Sequence, residues 1–425
     1  MGLNDTAWEI LFARHNILEE IAKVGMFRIT ADQIKVEREP RLMTKFDHRV
    51  NLPSIFKDND LAILPVTRGD YIISKFSAYH DFERSALECQ RVNLPLGIQS
   101  LLPQYIVSEA IALNCANACG ILEDFLEDEN LVPTVSGRMS SGEFSFNIST
   151  DGKQQAVDVR NSQIEIDAAY EGRSCLALFE AKRDISNDFL VRQLYYPFRA
   201  WCGRVTKKIK PVFLVFSNGV FYLYQYEFTD PENYNSLSLV KQKNYILSPE
   251  ITLADIQTIV ENTPICSEAE VAFPQADSMK RIVNLMEMLS ERDMTKQDIT
   301  NRYIFRERQT NYYTTAGHYL GFIEKGERHS DGFVYFSLSD VGHRVMKMPY
   351  RERQIAIATA ILRHRAFNET LKIHLQCGEM PNINMIVQIM QNCGVYNVGS
   401  PETFKRRAST IRGWIEWILG LIEGE

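Results

Sequence analysis

Residues 163–182 read QIEIDAAYEGRSCLALFEAK, and this stretch decides the fold. In QIEID polar and apolar residues alternate, and side chains two apart on a strand point to the same face. Glu165 and Asp167 therefore share one face, and Ile164 and Ile166 take the other. At the end of CLALFEAK, Glu180 and Lys182 share a face in the same way. Gly172 lies in the connection, so the two runs are expected to be neighbouring strands. Their functional faces then converge, bringing three carboxylates and one ammonium together. CLALFEAK is apolar up to Glu180, as a central, buried strand would be. Carboxylates that emerge from the end of such a strand are costly without a cation or another partner.

The same spacing also fits an exposed hairpin laced by cross-strand ion pairs, worth only about 0.2–1 kcal/mol each. The residues immediately C-terminal to it favour a site. The next helix, in SNDFLVRQLYYPFRAW, has Ser186 as its expected N-cap and carries Arg192, Gln193 and Arg199 beside Tyr195 and Tyr196. KKIK at 207–210 adds more positive charge. An acidic pocket with a basic rim suits hydrolysis of a phosphodiester backbone. That chemistry needs an activated water and a sink for developing negative charge. Mg²⁺ on a few carboxylates supplies both, and a nearby lysine orients the water and offsets charge.

Outward from this stretch, the sequence predicts a mixed-sheet α/β core flanked by two other units. Residues 1–100 read as an N-terminal α+β domain, with helical spacing over 6–23 and strand-like runs LAILPV and YIISKF. Residues 101–260 form the core. It opens on a helix over 104–127 interrupted at Gly120, and includes the strand EFSFNIST and a hairpin in KPVFLVFSNGVFYLYQYEF. There Asn218-Gly219 joins two aromatic, β-branched runs. Residues 275–350 read as three helices and a β-ribbon, the plan of a winged helix. Residues 351–425 read as a second helical, winged-helix-like unit that ends in a helix carrying Trp414 and Trp417, expected to be core.

Composition sets outer bounds. With 45% hydrophobic and 24% charged residues, the chain has ordinary globular make-up. No apolar run approaches the roughly 18–20 residues of a membrane helix, and the N-terminus lacks a signal-peptide pattern, so a cytoplasmic location is expected. The 8 cysteines do not make a zinc spacing or a disulfide framework and read as reduced, mostly buried thiols. The net charge is −7, but residues from 271 onward carry 20 Lys+Arg against 17 Asp+Glu, or +3, and the remainder −10. A local basic surface is compatible with an acidic whole.

Asp167 followed by Glu180-Ala181-Lys182 resembles the D…(E)xK motif of the PD-(D/E)xK nuclease superfamily. The wider run QIEIDAAYEGRSCLALFEAKRDISNDFLVRQLYYPFRAW is similar to bacterial type II restriction endonucleases, and PRLMTKFDHRVNLPSIF and the C-terminal region extend the likeness over most of the chain. The resemblance implies a restriction-endonuclease-like core in a bacterial or archaeal protein. Asp167 and Glu180 would bind Mg²⁺, and Lys182 would position the attacking water. Glu109, on the helix before the sheet, would be a further metal ligand in preference to Glu123, with Glu165 auxiliary. Gln193 would touch the backbone or a water near the metal. Pro197 stands four residues after Gln193, so the exonuclease branch's Gln-x-x-x-Tyr pattern is not met. The implied partner is double-stranded DNA cut by a homodimer, with a cognate DNA methyltransferase as functional rather than physical partner. Two alternatives stay open: a non-catalytic winged-helix DNA-binding regulator, and a repair or modification-dependent nuclease of the same fold.

For DNA reading, the third helix of a winged helix usually enters the major groove. Here Arg308, Gln309, Thr310, Asn311 and Tyr313 lie near its start. Arginine suits guanine, and Asn or Gln suits adenine. Lys325 and Arg328 on the wing and Lys405, Arg406 and Arg407 on the last helix are candidate phosphate contacts. So are Arg138, Ser140 and Ser141 ahead of the Asp167 strand, Arg192, and the set Lys45, His48 and Arg49.

Overall fold

The computed structural model describes residues 3–83, 88–95, 98–101, 106–183, 186–247, 251–268, 271–303, 307–328 and 332–423. Its centre is a seven-stranded mixed sheet. In spatial order the strands are Cys89–Arg91, Leu237–Ile246, Val220–Phe228, Lys208–Ser217, Cys175–Lys182, Gln163–Glu171 and Val132–Ser140. Cys175–Lys182 runs parallel to Lys208–Ser217 and antiparallel to Gln163–Glu171, so CLALFEAK is an interior strand. Ile164 and Ile166 are buried. Helices Glu109–Ala118 and Ile121–Leu126 cover one face and are broken at Gly120, whose φ is +72°. Helix Arg192–Trp201 covers the other face, with the hairpin Glu143–Thr150 and Lys153–Arg160 packed beside it.

One buried carboxylate holds the turn between the two decisive strands. Asp128 accepts the backbone N–H groups of Arg173, Ser174 and Cys175 at 3.0, 2.9 and 3.0 Å, and the Ser174 hydroxyl at 2.8 Å. Burial alone would push its carboxyl pKa up; these hydrogen bonds outweigh that and hold it well below the ordinary 3.8. Gly172 is required by close approach, because a Cβ there would lie 2.5 Å from Asp128 Oδ2. The turn sets the register Leu176↔Glu171 to Phe179↔Ala168, which continued by one step places Glu180 opposite Asp167.

The helix expected to begin at Ser186 starts later. Asp188–Leu190 is a short strand paired with Tyr79–Asp81, with Phe189 and Leu190 buried, and the helix opens at Arg192. The expected boundary at residue 100 also shifts. Beyond Ser74 the chain supplies Tyr79–Asp81 and the sheet-edge strand Cys89–Arg91 to the central part. Before it, helix Leu3–His15 through Trp8 and Phe12 and helix Ile17–Val24 through Ile17 and Ile21 share one core with a three-stranded sheet.

The C-terminal region has the three expected helices, Met279–Leu289, Lys296–Tyr303 and Glu307–Tyr319. Ribbon strands Ile323–Arg328 and Val334–Leu338 come next, joined by Met294–Thr295. Thr295 caps the second helix, accepting the Asp298 N–H at 3.1 Å. Residues 329–331 of the wing tip lie outside the described residues. The expected second winged-helix-like unit is not formed. Among the described residues after 350 there are helices and no strand, and one hydrophobic cluster runs from Ile251 to Leu421. A single core thus unites residues expected to form separate units. Trp414 is fully buried, its indole N–H donating to Ala276 O at 2.8 Å, and Trp417 is partly buried. Among the described residues the 8 cysteines form no disulfide; Cys115 and Cys175 are buried, whereas Cys202 and Cys377 are exposed.

Two substitutions test the turn. Asp128→Ala should lower stability to urea by about 1.5–3 kcal/mol, the loss of hydrogen bonds to a charged acceptor, and Gly172→Ala should also lower it, because its Cβ would collide with the Asp128 carboxylate. Because the Asp128 pKa is depressed, its contribution is present above pH 3.8 and is lost as pH falls below it. The difference between wild type and Asp128→Asn should shrink over that acidic range.

Candidate active site

Backbone pairing between Gln163–Glu171 and Cys175–Lys182 stops at Ala168 and Phe179. Beyond that point the Ala181 N–H donates to the Asp167 side chain, Oδ2 at 2.7 Å. Asp167 thus bridges the split between the strands. Glu180 is buried (8% exposed), and its Oε1 accepts the Lys182 ammonium at 2.5 Å and the Gln193 side-chain amide at 2.6 Å. Gln193 stands in the first turn of helix Arg192–Trp201, which lies against the Glu180 strand; with Leu178, Leu194 and Pro197 it lines a small recess at Glu180.

The electrostatics follow from burial and proximity. Burial pushes the Glu180 carboxyl up to about 7; Lys182 opposes the shift, and the charges of Asp167 and Asp47 add to it. Burial acts to lower the Lys182 pKa, but Glu180, Glu109, Asp167 and Asp47 together raise it well above its ordinary value. Lys182 is therefore a fixed cation ringed by carboxylates.

Glu109 stands at the start of its helix, close enough for its charge to act on Lys182. Glu123 is occupied elsewhere, with Oε1 accepting the Asn130 and Leu131 N–H groups at 2.8 and 3.4 Å. Glu165 does not join the site. It is exposed, and the register with Val132–Ser140 sets it opposite Arg138, whose Nε lies 3.5 Å from Glu165 Oε1. The expected convergence of three carboxylates from the two strands is reduced to Asp167 and Glu180, because the strands part before Glu165 faces Lys182. Among the described residues, no three His, Cys, Asp or Glu side chains are grouped to hold a metal ion by themselves.

The residues do fit Mg²⁺ held in its usual way, by one or two carboxylates with several waters. Asp167 Oδ1 and Glu180 Oε2 carry no hydrogen bond among the described residues, so each carboxylate keeps one oxygen for a cation. Gln193 Oε1 is buried with no hydrogen-bond partner, an acceptor that a water in the site would satisfy.

The basic rim is smaller than expected. In the parallel register Lys208 and Lys210 lie beside Cys175 and Ala177, at the far end of the strand from Glu180. There Lys207 binds Glu171 and Gly172 O, both at 2.7 Å, and Lys210 binds Leu126 O at 2.6 Å. Arg199 donates to Pro231 O and the Tyr195 hydroxyl. Arg192 remains half-buried, with its guanidinium 5.5 Å from the centre of the Tyr196 ring. Ser141 is buried and turned to Gly142 O, so it is withdrawn from any ligand, and the Ser140 hydroxyl donates to Asn161.

The N-terminal unit reaches the site, which sequence reasoning missed. Its segment Lys45–Arg49 docks on the strand leading to Gln193. The Leu190 N–H donates to Asp47 O at 2.9 Å, and buried His48 bonds the Asp188 backbone oxygen through Nδ1 at 2.5 Å. Arg49 pairs with Asp81 and Asp188 instead of standing free. Nothing local in KFDHR announces that Asp47 lies near Glu180; only the docking does.

Of the C-terminal candidates, Thr310 and Tyr313 face inward. Thr310 is fully buried and shares a 2.8 Å hydrogen bond with Thr300, and Tyr313 is 5% exposed, so neither can meet a base edge. Asn311 and Arg308 are exposed, and Arg308 is braced by the Tyr312 hydroxyl and ring; Gln309 is half-buried. Lys325, Arg328, Lys405 and Arg406 are exposed. Arg407 is half-buried, donating to Gln275 at 2.9 Å.

A divalent cation that bound Glu180 would have to displace the proton that burial favours there below about pH 7. Divalent-ion affinity, measured by calorimetric titration with Mg²⁺, should therefore rise about tenfold per pH unit below 7 and level off above it. Glu180→Gln should abolish both the binding and its pH dependence.

Comparison with known families divides the chain into the same blocks. Residues 5–73, 74–246 and 281–423 match three families, each described as a domain of unknown function (DUF6996, DUF6997 and DUF7226 respectively). Asp167, Glu180, Lys182, Gln193 and Glu109 fall within the second, and Asp47 within the first. No curated protein and no solved structure matches the chain.

Proposed function

We propose that this protein is a site-specific, Mg²⁺-dependent endonuclease of double-stranded DNA, of the type II restriction kind. One observation carries the reading: Asp167, Glu180, Lys182 and Gln193 meet where two neighbouring strands part, with Lys182 2.5 Å from Glu180. The mixed sheet that presents these groups supports a PD-(D/E)xK-type core. Mg²⁺ bound by Asp167 and Glu180 would supply an activated water and a charge sink for the phosphodiester. Lys182, kept cationic by its carboxylate neighbours, offsets negative charge on the scissile phosphate and orients the water. Gln193 ties down one Glu180 oxygen and so fixes the direction of the other. Glu109 and Asp47 act on Lys182 from a greater distance.

The C-terminal region supports DNA reading. Three helices and a ribbon follow the plan of a winged helix, and Arg308 and Asn311 stand exposed, one turn apart, at the start of the third helix. Lys325, Arg328, Lys405 and Arg406 suit phosphate contacts. Cutting both strands at one site pairs two active sites, which makes a homodimer the working form.

Wild-type protein with Mg²⁺ should cut mixed-sequence phage DNA into discrete fragments, and Asp167→Ala and Lys182→Ala should lower the rate by at least about 10²–10³-fold. Mutants that cut as well as wild type would remove these residues from the site. DNA binding without cutting under varied metal conditions would instead favour a non-catalytic regulator. Arg308→Ala and Asn311→Ala should each weaken specific binding by about 1–3 kcal/mol while leaving random-DNA binding nearly unchanged. Equal losses on both DNAs would make them phosphate contacts.

A further inference from the structure

The strand that carries Glu180 and Lys182 ends against the C-terminal helical region. Helix Met279–Leu289 lies at the ends of the two parallel strands Cys175–Lys182 and Lys208–Ser217. The side-chain amide of Asn284, 1% exposed, donates to Arg183 O and to Ser217 Oγ, both at 2.9 Å. Buried Glu287 accepts from the Ser217 hydroxyl at 3.2 Å and the Asn218 N–H at 3.4 Å, and Asn218 in turn donates to Lys280 O. The Asn218-Gly219 turn packs so tightly that a Cβ on Gly219 would lie 2.1 Å from the Tyr350 ring.

Arg183 is the junction. It comes directly after Lys182, and its side chain is only 15% exposed. One terminal nitrogen donates both to Val107 O at 2.7 Å, just ahead of the Glu109 helix, and to Glu291, just past the end of helix Met279–Leu289. A second tie lies further along, where Arg281 donates to Asn187 Oδ1 at 3.2 Å, in the segment leading to Gln193. Arg281 also hydrogen-bonds Tyr313 of the helix that carries Arg308 and Asn311; burial raises the Tyr313 pKa and Arg281 opposes the rise.

We propose that Arg183 is a positioning residue. Clamped by Glu291 and Asn284 of the C-terminal region, it holds Lys182 and the Glu109 helix in place, so that the region proposed to read DNA is a structural part of the active site. The inference rests on the endonuclease reading for its kinetic consequence, but not for its geometry. Arg183 touches no reacting group; it acts through its neighbours Lys182 and Val107.

The test uses the full-length protein with Arg183→Ala, Arg183→Lys and Glu291→Ala, the last removing only the distant partner. Two quantities are measured on mixed-sequence phage DNA: the single-turnover cleavage rate with Mg²⁺, and affinity by filter binding with Ca²⁺ in its place. Arg183→Ala and Glu291→Ala should slow cleavage about 10–100-fold with affinity within about twofold of wild type, a split expected of lost positioning and not of lost binding. Arg183→Lys should recover most of the rate, since an ammonium can still reach Val107 O. Variant rates within about twofold of wild type, or rate and affinity falling together, would overturn the inference while leaving the endonuclease reading intact. Failure of wild type to cut would overturn the endonuclease reading alone, and hydrogen exchange then decides the inference. Amides of residues 106–112 and 180–183 should exchange at least about tenfold faster in Glu291→Ala than in wild type. Unchanged exchange there would overturn the inference whatever the activity.

Discussion

Backbone pairing between Gln163–Glu171 and Cys175–Lys182 ends at Ala168 and Phe179, and the site exists because it ends there. At one end of the strand pair, Asp128 gathers the N–H groups of the turn and sets the register. At the other, the Asp167 carboxylate takes the Ala181 N–H. A slip of one residue would send Asp167 to the opposite face. The split also frees the end of the Glu180 strand from its neighbour, leaving room for Gln193 and Lys182 to bond Glu180.

The side chains brought together here come from separate parts of the chain. Asp47 arrives from the N-terminal unit, Glu109 from a helix on one face of the sheet, and Gln193 from a helix on the other. Lys182 lies among them, and its ammonium is what makes so many carboxylates tolerable in a buried place. Such a buried pair is seldom a source of stability, since desolvation offsets most of the Coulombic gain. Under the proposed function, the pair instead serves to hold the remaining carboxylate oxygens toward a cation.

The C-terminal region is docked through a buried polar network rather than tethered. Asn284, Glu287, Ser217 and Asn218 are hydrogen-bonded to one another at the ends of the parallel strands, and a single hydrophobic core extends from Ile251 to Leu421. A region proposed to read DNA is thereby joined to the strand proposed to cut it by side chains with little freedom to move apart.

Much of this was legible in local pattern. The alternation in QIEID, the apolar run of CLALFEAK and the Asn218-Gly219 turn each name their own structure, because strand faces and tight turns depend on residues next to one another. The capping Thr295 and the buried Trp414 were legible for the same reason. Local pattern misled where a distant partner decided the outcome. Asp188–Leu190 reads as the start of a helix but pairs with Tyr79–Asp81, and Thr310 and Tyr313 read as exposed but are covered by neighbouring helices. KKIK looks like a rim to the site, yet the parallel register carries it to the other end of the strand. The sequence by itself determined that QIEID and CLALFEAK are strands and which face Asp167, Glu180 and Lys182 share. Only the tertiary structure decided that Glu165 is left out, that Asp47 is brought in, and that Arg183 joins the site to the C-terminal region, because each of these depends on where strands part and separate units dock.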